Sequence, residues 1–470
     1  MKEARRFREQ LFSLLRSEGE KGGDAALVEL ARLGAYARQR MMSGMAARYN
    51  LSSEWVGFLN RVVLAGETAS SPREGRRHWQ YFLETGRRLQ AGGATPALLE
   101  DLRRHVQDIV VHEASGGGEF SGKLADFSML DILPCRGLDV GTTNIVGVVR
   151  RKGNGLDCFN LQRNAFLDVR SDAFTGRMLQ HLGIPHILHG GRGFVVGDAA
   201  FELANIFQRN TRRPMKDGLI SPLEQEALRM VEILIQRVLG KPRREGELCA
   251  FSVPADPTDS GRNVIYHRGA LESLLHRLGF TPKAVVEGHA VVFSELEESD
   301  YTGIGISCGG GMFNVCLSYK SVPAVAFSTS RGGDWIDENV AASFGMTTSE
   351  VCSVKEGGVD LLKPGNRVEE AIVIYYRNLI QYTLQTIRER FESGHGVPSF
   401  QKPVDIVLSG GTSLAGNFTR VFREELEKSH LPIDVAEVRL ARDPLRSVAR
   451  GCLQAAVEEM HARLEIEIPL

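Results

Sequence analysis

Chemistry-bearing residues gather at a bend between two apolar runs in "RGLDVGTTNIVGVVRR", Arg136 to Arg151. An apolar strand ends at Asp139, and Gly141, Thr142, Thr143 and Asn144 form the turn before the chain becomes apolar again. A phosphate approaching a tight turn needs backbone N–H donors with no side chain in the way, which Gly141 supplies. The two threonines and the asparagine add hydroxyl and amide donors. Asp139 cannot help a phosphate directly, because like charges repel. It can order a Mg²⁺ through water, and the metal then neutralises the phosphates. A turn with a capping aspartate is the plainer reading of the same residues.

Two further bends favour the chemical reading. "TGIGISCGGGMFNVCLS", Thr302 to Ser318, is again strand, bend and strand, with Gly309, Gly310 and Gly311 at its centre. "VDIVLSGGTSLAGNFTRVFREEL", Val404 to Leu426, runs from a strand through Ser409, Gly410, Gly411 and Thr412 into a helix. A strand that passes through paired glycines into a helix start suits the base, ribose or phosphate of a nucleotide. The two hairpins with glycine turns point to a duplicated plan closing on one ligand.

The elements that must position these bends follow from pattern and composition. The 470 residues carry a formal net charge of −1, so no global electrostatic case exists for nucleic acid or membrane. Seven cysteines form no CxxC pair, which suits reduced thiols in a cytosol. "VHEASG" lacks the second histidine of a zinc motif. "MKEARRFREQ" has no apolar core of a signal peptide, and no run of eighteen apolar residues occurs. The expected location is the cytoplasm.

Residues 1–113 read as an all-α module. Phe7, Leu11, Leu14 and Leu15 form one apolar stripe, and further helices are expected up to Val111. Arginines flank the stripe, but Glu3, Glu9, Glu18 and Glu20 nearly cancel them, so packing on neighbouring helices is favoured over docking at the inner face of a membrane. Trp79, Tyr81 and Phe82 among arginines could stack on nucleic acid. At helical spacing they read better as core, and no nucleic-acid partner is expected. The glycine-rich stretch 114–132 reads as a linker. Beyond it strands and helices alternate, the mark of an α/β architecture.

These residues resemble the superfamily of actins, heat-shock chaperones and sugar kinases, and within it the bacterial actin MreB family. "GLDVGTTN" is similar to the first phosphate loop, "CGGGMFN" to the second and "IVLSGGTSLAGN" to the adenosine loop. "RRPMKDGLISPLE", "RGGDWIDENV" and "ARDPLRSVARGCLQA" carry the likeness to MreB. The resemblance implies a duplicated, ribonuclease H-like two-lobed α/β fold with a nucleotide cleft between the lobes. Lobe I would span 133–300, with a helix at about 444–462 packing back on it, and lobe II 301–443. The ligands implied are ATP or another purine nucleotide and Mg²⁺, with Asp139 ordering the metal through water. Gly141, Thr142 and Asn144 would face the phosphates, and Glu287 would orient the attacking water. Glu287 also reads as a helix N-terminal carboxylate favoured by the dipole. Gly332 and Gly333 would lie by phosphates or ribose, Glu350 by ribose or base, and Gly410 and Gly411 behind the adenosine. Where the family has proline after the glutamate, Gly288 and His289 stand; the lysine expected three residues after Glu350 is Ser353, with Lys355 close by.

One departure bears on activity. Aligning the three glycines puts Ser307 where the family has an aspartate, and Met312 and Phe313 where it has hydroxyl residues. A serine carries no charge to share the metal's hydration shell, so hydrolysis is expected to be slowed by a factor of about 10² or more. Three functions are compatible with the superfamily: a polymerising ATPase with reduced turnover, a non-hydrolysing scaffold that recruits a partner through the N-terminal helices, and a small-molecule kinase or chaperone. The MreB-like strings favour the first two, and self-association into filaments is the expected assembly.

Overall fold

The computed structural model describes residues 120–466, apart from 122–123, 128–129, 171–172, 190–191, 207–210, 222–223, 225, 261–263, 394–399 and 401. The expected helical module at 1–113 and its Phe7–Leu15 stripe lie outside the described residues.

The first part of the chain contains β1 (Phe120–Ser121), β2 (Cys135–Val140), β3 (Asn144–Arg150), β4 (Asp157–Arg163), β5 (Phe166–Arg170), β6 (His186–His189), β7 (Arg192–Val196), β8 (Met215–Lys216), β9 (Leu219–Ile220), β10 (Glu247–Val253) and β11 (Phe280–Val286). The second contains β12 (Gly303–Cys308), β13 (Phe313–Tyr319), β14 (Val322–Thr329), β15 (Val404–Ser409) and β16 (Val435–Leu440). Two five-stranded sheets result, ordered β11-β10-β2-β3-β4 and β14-β13-β12-β15-β16. Read from the β4 end, the first has the same plan as the second. Each is a three-stranded antiparallel meander whose first strand is flanked by two successive parallel strands. This repetition is the duplication that the two glycine-turn hairpins imply.

The strand sequences explain their places. β10, ELCAFSV, is buried along its whole length, as a strand covered on both faces requires. β14 lies at an edge and is exposed at Val322 and Pro323; proline is tolerated there because an edge strand can lack an N–H donor. Phe120–Ser121, inside the stretch expected as linker, pairs with β6 in a small sheet ordered β1-β6-β7-β5.

Two cores back the sheets. Ile304, Ile306, Phe313, Ile336, Tyr376 and Leu408 belong to the core of the second, where the helices Gly333–Phe344 and Arg367–Glu392 pack. Val146, Val148, Val291, Ala449 and Leu453 belong to that of the first, with the helices Glu287–Glu295 and Ser447–Ile466. These two helices approach closely: a Cβ on Gly451 would lie 1.7 Å from the carbonyl oxygen of Ala290.

Behind β2 the fully buried Arg136 is paired with Glu247 at 2.9 Å. Its guanidinium also donates to the carbonyls of Leu239 and Lys241 and sits over the rings of Phe127 and Phe280. Removing one member of such a pair strands a buried charge. Glu247→Leu alone is expected to lower unfolding free energy by about 3–5 kcal/mol in denaturant titration, with Arg136→Met recovering part of the loss in the double variant. A loss below about 1 kcal/mol would contradict this account of the pair.

Two short segments, Ser221–Arg229 and Gly261–Leu274, fall into a separate unit. Within it Arg268 bonds Glu272 one helical turn on, at 3.0 Å.

Candidate functional site

The first bend is closed by Gly141 N–H donating to the Asn144 carbonyl at 3.0 Å. Asn164 fastens it from the next strand connection, donating from its side chain to the Gly141 carbonyl at 2.9 Å and from its backbone to Thr143 at 2.8 Å. Asp139 stands at the end of β2. Ser252 of β10 donates to its Oδ1 at 2.7 Å and accepts from the amide of Val140 at 2.9 Å. Burial raises the Asp139 carboxyl to about 6, which the Ser252 hydrogen bond partly offsets.

The second bend is held from the opposite side. Gly309 N–H donates to the Met312 carbonyl, while the Gly309 carbonyl accepts from Gly333 N–H at 3.0 Å and from Thr412 Oγ1 at 2.9 Å. The two bends meet: a Cβ on Gly310 would lie 2.5 Å from Thr143 Oγ1, and one on Gly311 would lie 2.6 Å from Thr142 Oγ1. Only glycines permit this approach. The third bend turns at Gly410, whose φ of 90° is left-handed and whose missing Cβ would fall 2.4 Å from the Cys308 carbonyl.

Glu287 begins the helix Glu287–Glu295, and both Ser307 Oγ and Asn314 Nδ2 donate to its Oε2, at 2.9 and 3.0 Å. Asn314 is itself fixed by accepting from Ala255 N–H at 3.0 Å. Burial, then the charge of Asp139, raises the Glu287 carboxyl to about 8 against these two hydrogen bonds. Gly288 fits because its Cβ would lie 2.7 Å from the Cys316 amide, so the helix rests directly on β13.

A cavity of about 510 Å³ joins these parts. Asp139, Gly141, Thr142, Thr143 and Asn144 line it, as do Glu287, Gly309, Gly310, Gly311, Gly410, Gly411 and Thr412. Its titratable lining is five acids, Asp139, Asp198, Glu287, Asp334 and Glu356, against three cations, Arg163, Arg213 and Lys355. With Glu287 raised to about 8 and mostly protonated near neutral pH, four negative charges face three positive ones. Lys355 is already committed, bonding Asp337 at 2.7 Å and the Gly333 carbonyl at 2.9 Å. An anionic ligand therefore needs added positive charge to enter this lining. Among the described residues no cluster of three or more histidines, cysteines or acids could hold a metal unaided. A cation here would take the rest of its shell from water or from the ligand's own oxygens, which suits a magnesium chelated by phosphates.

Three sequence-derived candidates do not line the cavity. Gly332 and Gly333 sit behind the second bend; the Gly333 amide is used by the Gly309 carbonyl, and a Cβ on Gly332 would lie 2.3 Å from the Gly310 oxygen. Glu350 is exposed and closes a capping box with Thr347, accepting from the Thr347 amide at 2.8 Å. Of the two apolar residues of the second bend, Met312 lines the cavity and Phe313 does not. Phe313 is buried in the second core, and Met312 packs on Gly218, whose Cβ would lie 2.6 Å from its sulfur. Ser252, Asn314, Arg213 and Asp334 were not foreseen. Their contribution depends on pairing across distant segments, for which no local motif exists.

Two sheets of one repeated plan, each presenting a glycine bend to a shared cavity, define an actin-like two-lobed fold. A family model, Volactin, matches residues 135–456, and the chain belongs to that family. Among solved structures it is similar to the MamK double helical filament, at 21% identity and TM-score 0.53, covering 71% of this chain and 99% of that one. It is likewise similar to MreB 5 of Spiroplasma citri bound to AMPPNP, at 16% identity and TM-score 0.50, over 71% of this chain and 98% of the other. No curated protein sequence matches it significantly.

Proposed function

We propose that the cavity binds a purine nucleoside triphosphate with Mg²⁺ and that the chain is an actin-like protein that assembles into filaments and hydrolyses its nucleotide slowly. The observation that carries this reading is the convergence of two glycine bends, so close that a Cβ on Gly310 would lie 2.5 Å from Thr143 Oγ1, beside the partly buried carboxylates Asp139 and Glu287. The N–H groups of Gly310 and Gly311 are suited to phosphate oxygens, those of Gly141 and Gly309 being used to close their own bends, and Gly410, Gly411 and Thr412 are suited to the nucleoside.

Asp139 would hold the magnesium through water, and the metal would supply the charge that lets phosphates enter an acid-rich lining. Glu287 would orient a water for attack, with Oε2 steadied by Ser307 and Asn314. It would accept the water's proton once the metal's charge offsets that of Asp139 and returns the raised carboxyl to its ionised form. Ser307 supplies a neutral donor in place of a charge, which favours binding without fast turnover. That same substitution supports a second reading, a scaffold that binds nucleotide without hydrolysing it and recruits a partner through residues 1–113. The likeness to the MamK filament supports assembly at the level of fold, since a shared body can present similar end-to-end surfaces. Among the described residues no helix is long and apolar enough to cross a membrane.

Sedimentation and negative-stain imaging with magnesium and ATP test the assembly. The expected result is pelletable filaments whose amount falls with EDTA. Failure to pellet across salt and magnesium concentrations would overturn filament formation.

A further inference from the structure

Two ion pairs cross the cavity from one half of the fold to the other. Arg163, at the end of β4, donates to Glu356 of the helix Thr348–Glu356 at 3.0 Å. Arg213 donates to both carboxylate oxygens of Asp334, at 2.9 and 3.1 Å, at the start of the helix Gly333–Phe344. All four side chains line the cavity. Each arginine is anchored to the first half independently of its acid. Arg163 lies over the Phe201 ring at 4.3 Å, and the segment carrying Arg213 is bridged to β5 through Phe166 and Arg212. The acids are anchored to the second half, since Val351 and Ile336 of their helices lie in its core.

We propose that these pairs form a strap that holds the cleft shut and limits the rate at which its ligand leaves. The role rests on the nucleotide reading above but concerns retention rather than chemistry. The physical case is the contrast in commitment among the cavity's cations. Lys355 is bound within its own half, so closing the cleft gains nothing from it. Among the described residues, the carboxylates that pair with Arg163 and Arg213 lie on the other side, so that pairing energy is realised when the halves are together. Their side chains are between a quarter and a third exposed, so salt should weaken the strap without abolishing it.

The full-length chain carries its own reporter. Cys352 lines the cavity and is half-buried; Cys158 is half-buried away from the cavity and serves as the internal reference, and Cys135, Cys249, Cys308, Cys316 and Cys452 are buried. Maleimide labelling of Cys352, followed by peptide mass without nucleotide, reports opening, with Glu356→Gln as the reference for the thiol's own bond to Glu356 at 3.7 Å. Arg163→Gln is expected to raise its rate about two- to fivefold, the span of a partly exposed pair, and Arg163→Lys to fall between. Release of a fluorescent ATP in magnesium should quicken by a similar factor. Exchange of the charges, Arg163→Glu with Glu356→Arg, should slow release again. Wild-type release should also quicken with salt more than that of Arg163→Gln. Unchanged Cys352 labelling in Arg163→Gln and in Arg213→Gln would overturn the strap. Labelling that rises in a chain that binds no fluorescent ATP would leave the strap standing and overturn the nucleotide reading instead. Binding with release unmoved by either arginine variant would refute the retention role.

Discussion

Gly451→Ala is expected to destabilise the protein by about 3 kcal/mol, the upper end for overpacking a rigid contact. The sign is the informative part. In an exposed helix the same change gains up to about 1 kcal/mol, because alanine is the better helix former. Here the added methyl would meet the Ala290 carbonyl oxygen at 1.7 Å, a backbone atom of a neighbouring helix that cannot rotate away. The contact also matters for the site, because that neighbour is the helix Glu287–Glu295, which carries Glu287 at its first position. The helix would have to lift from β12 and β13, where Gly288 and Gly305 already allow close backbone approach. Urea titration measures the loss, and a variant as stable as the parent would show that the two helices do not touch as described.

Ser307→Asp is expected to do two opposite things. In the absence of metal it replaces a donor to Glu287 with a second carboxylate, at a position only 3% exposed, and should cost about 1–3 kcal/mol. With magnesium and ATP it restores a charge that can share the metal's hydration shell. Phosphate release should then rise by a factor on the order of 10². Paired measurements of urea stability without metal and phosphate release with it separate the two effects. A wild type that already releases phosphate as fast as the variant would mean that Ser307 does not limit turnover.

The bends were legible in the sequence because their chemistry is local: an apolar strand, an acid or glycine, then small residues. The duplicated sheet plan followed from recognising the same pattern twice. What stayed hidden depends on distance along the chain. Ser252 reaches Asp139 across 113 positions, and Asn314 reaches Glu287 across 27, through strand pairings that no local pattern specifies. Glu350 carries a second, local signal in the sequence. "TTSE" places a threonine three residues before a glutamate, the capping-box pattern, and the carboxylate is spent on that cap. The resemblance implies Gly332 and Gly333 beside phosphates or ribose. The Gly333 amide is given to the Gly309 carbonyl of the second bend, and neither glycine lines the cavity. Phe313 was aligned to a hydroxyl position, yet the alternation of β13 turns it into the core.

The proposed function depends on a magnesium-assisted polyphosphate site between the bends, and calorimetric titration of ATP into the full-length chain examines it directly. Heat of binding should develop with magnesium, vanish with EDTA, and be lost in Asp139→Ala while Ser353→Ala binds as the parent does. Absence of heat at saturating magnesium and ATP, or an Asp139→Ala variant that binds normally, would contradict the account.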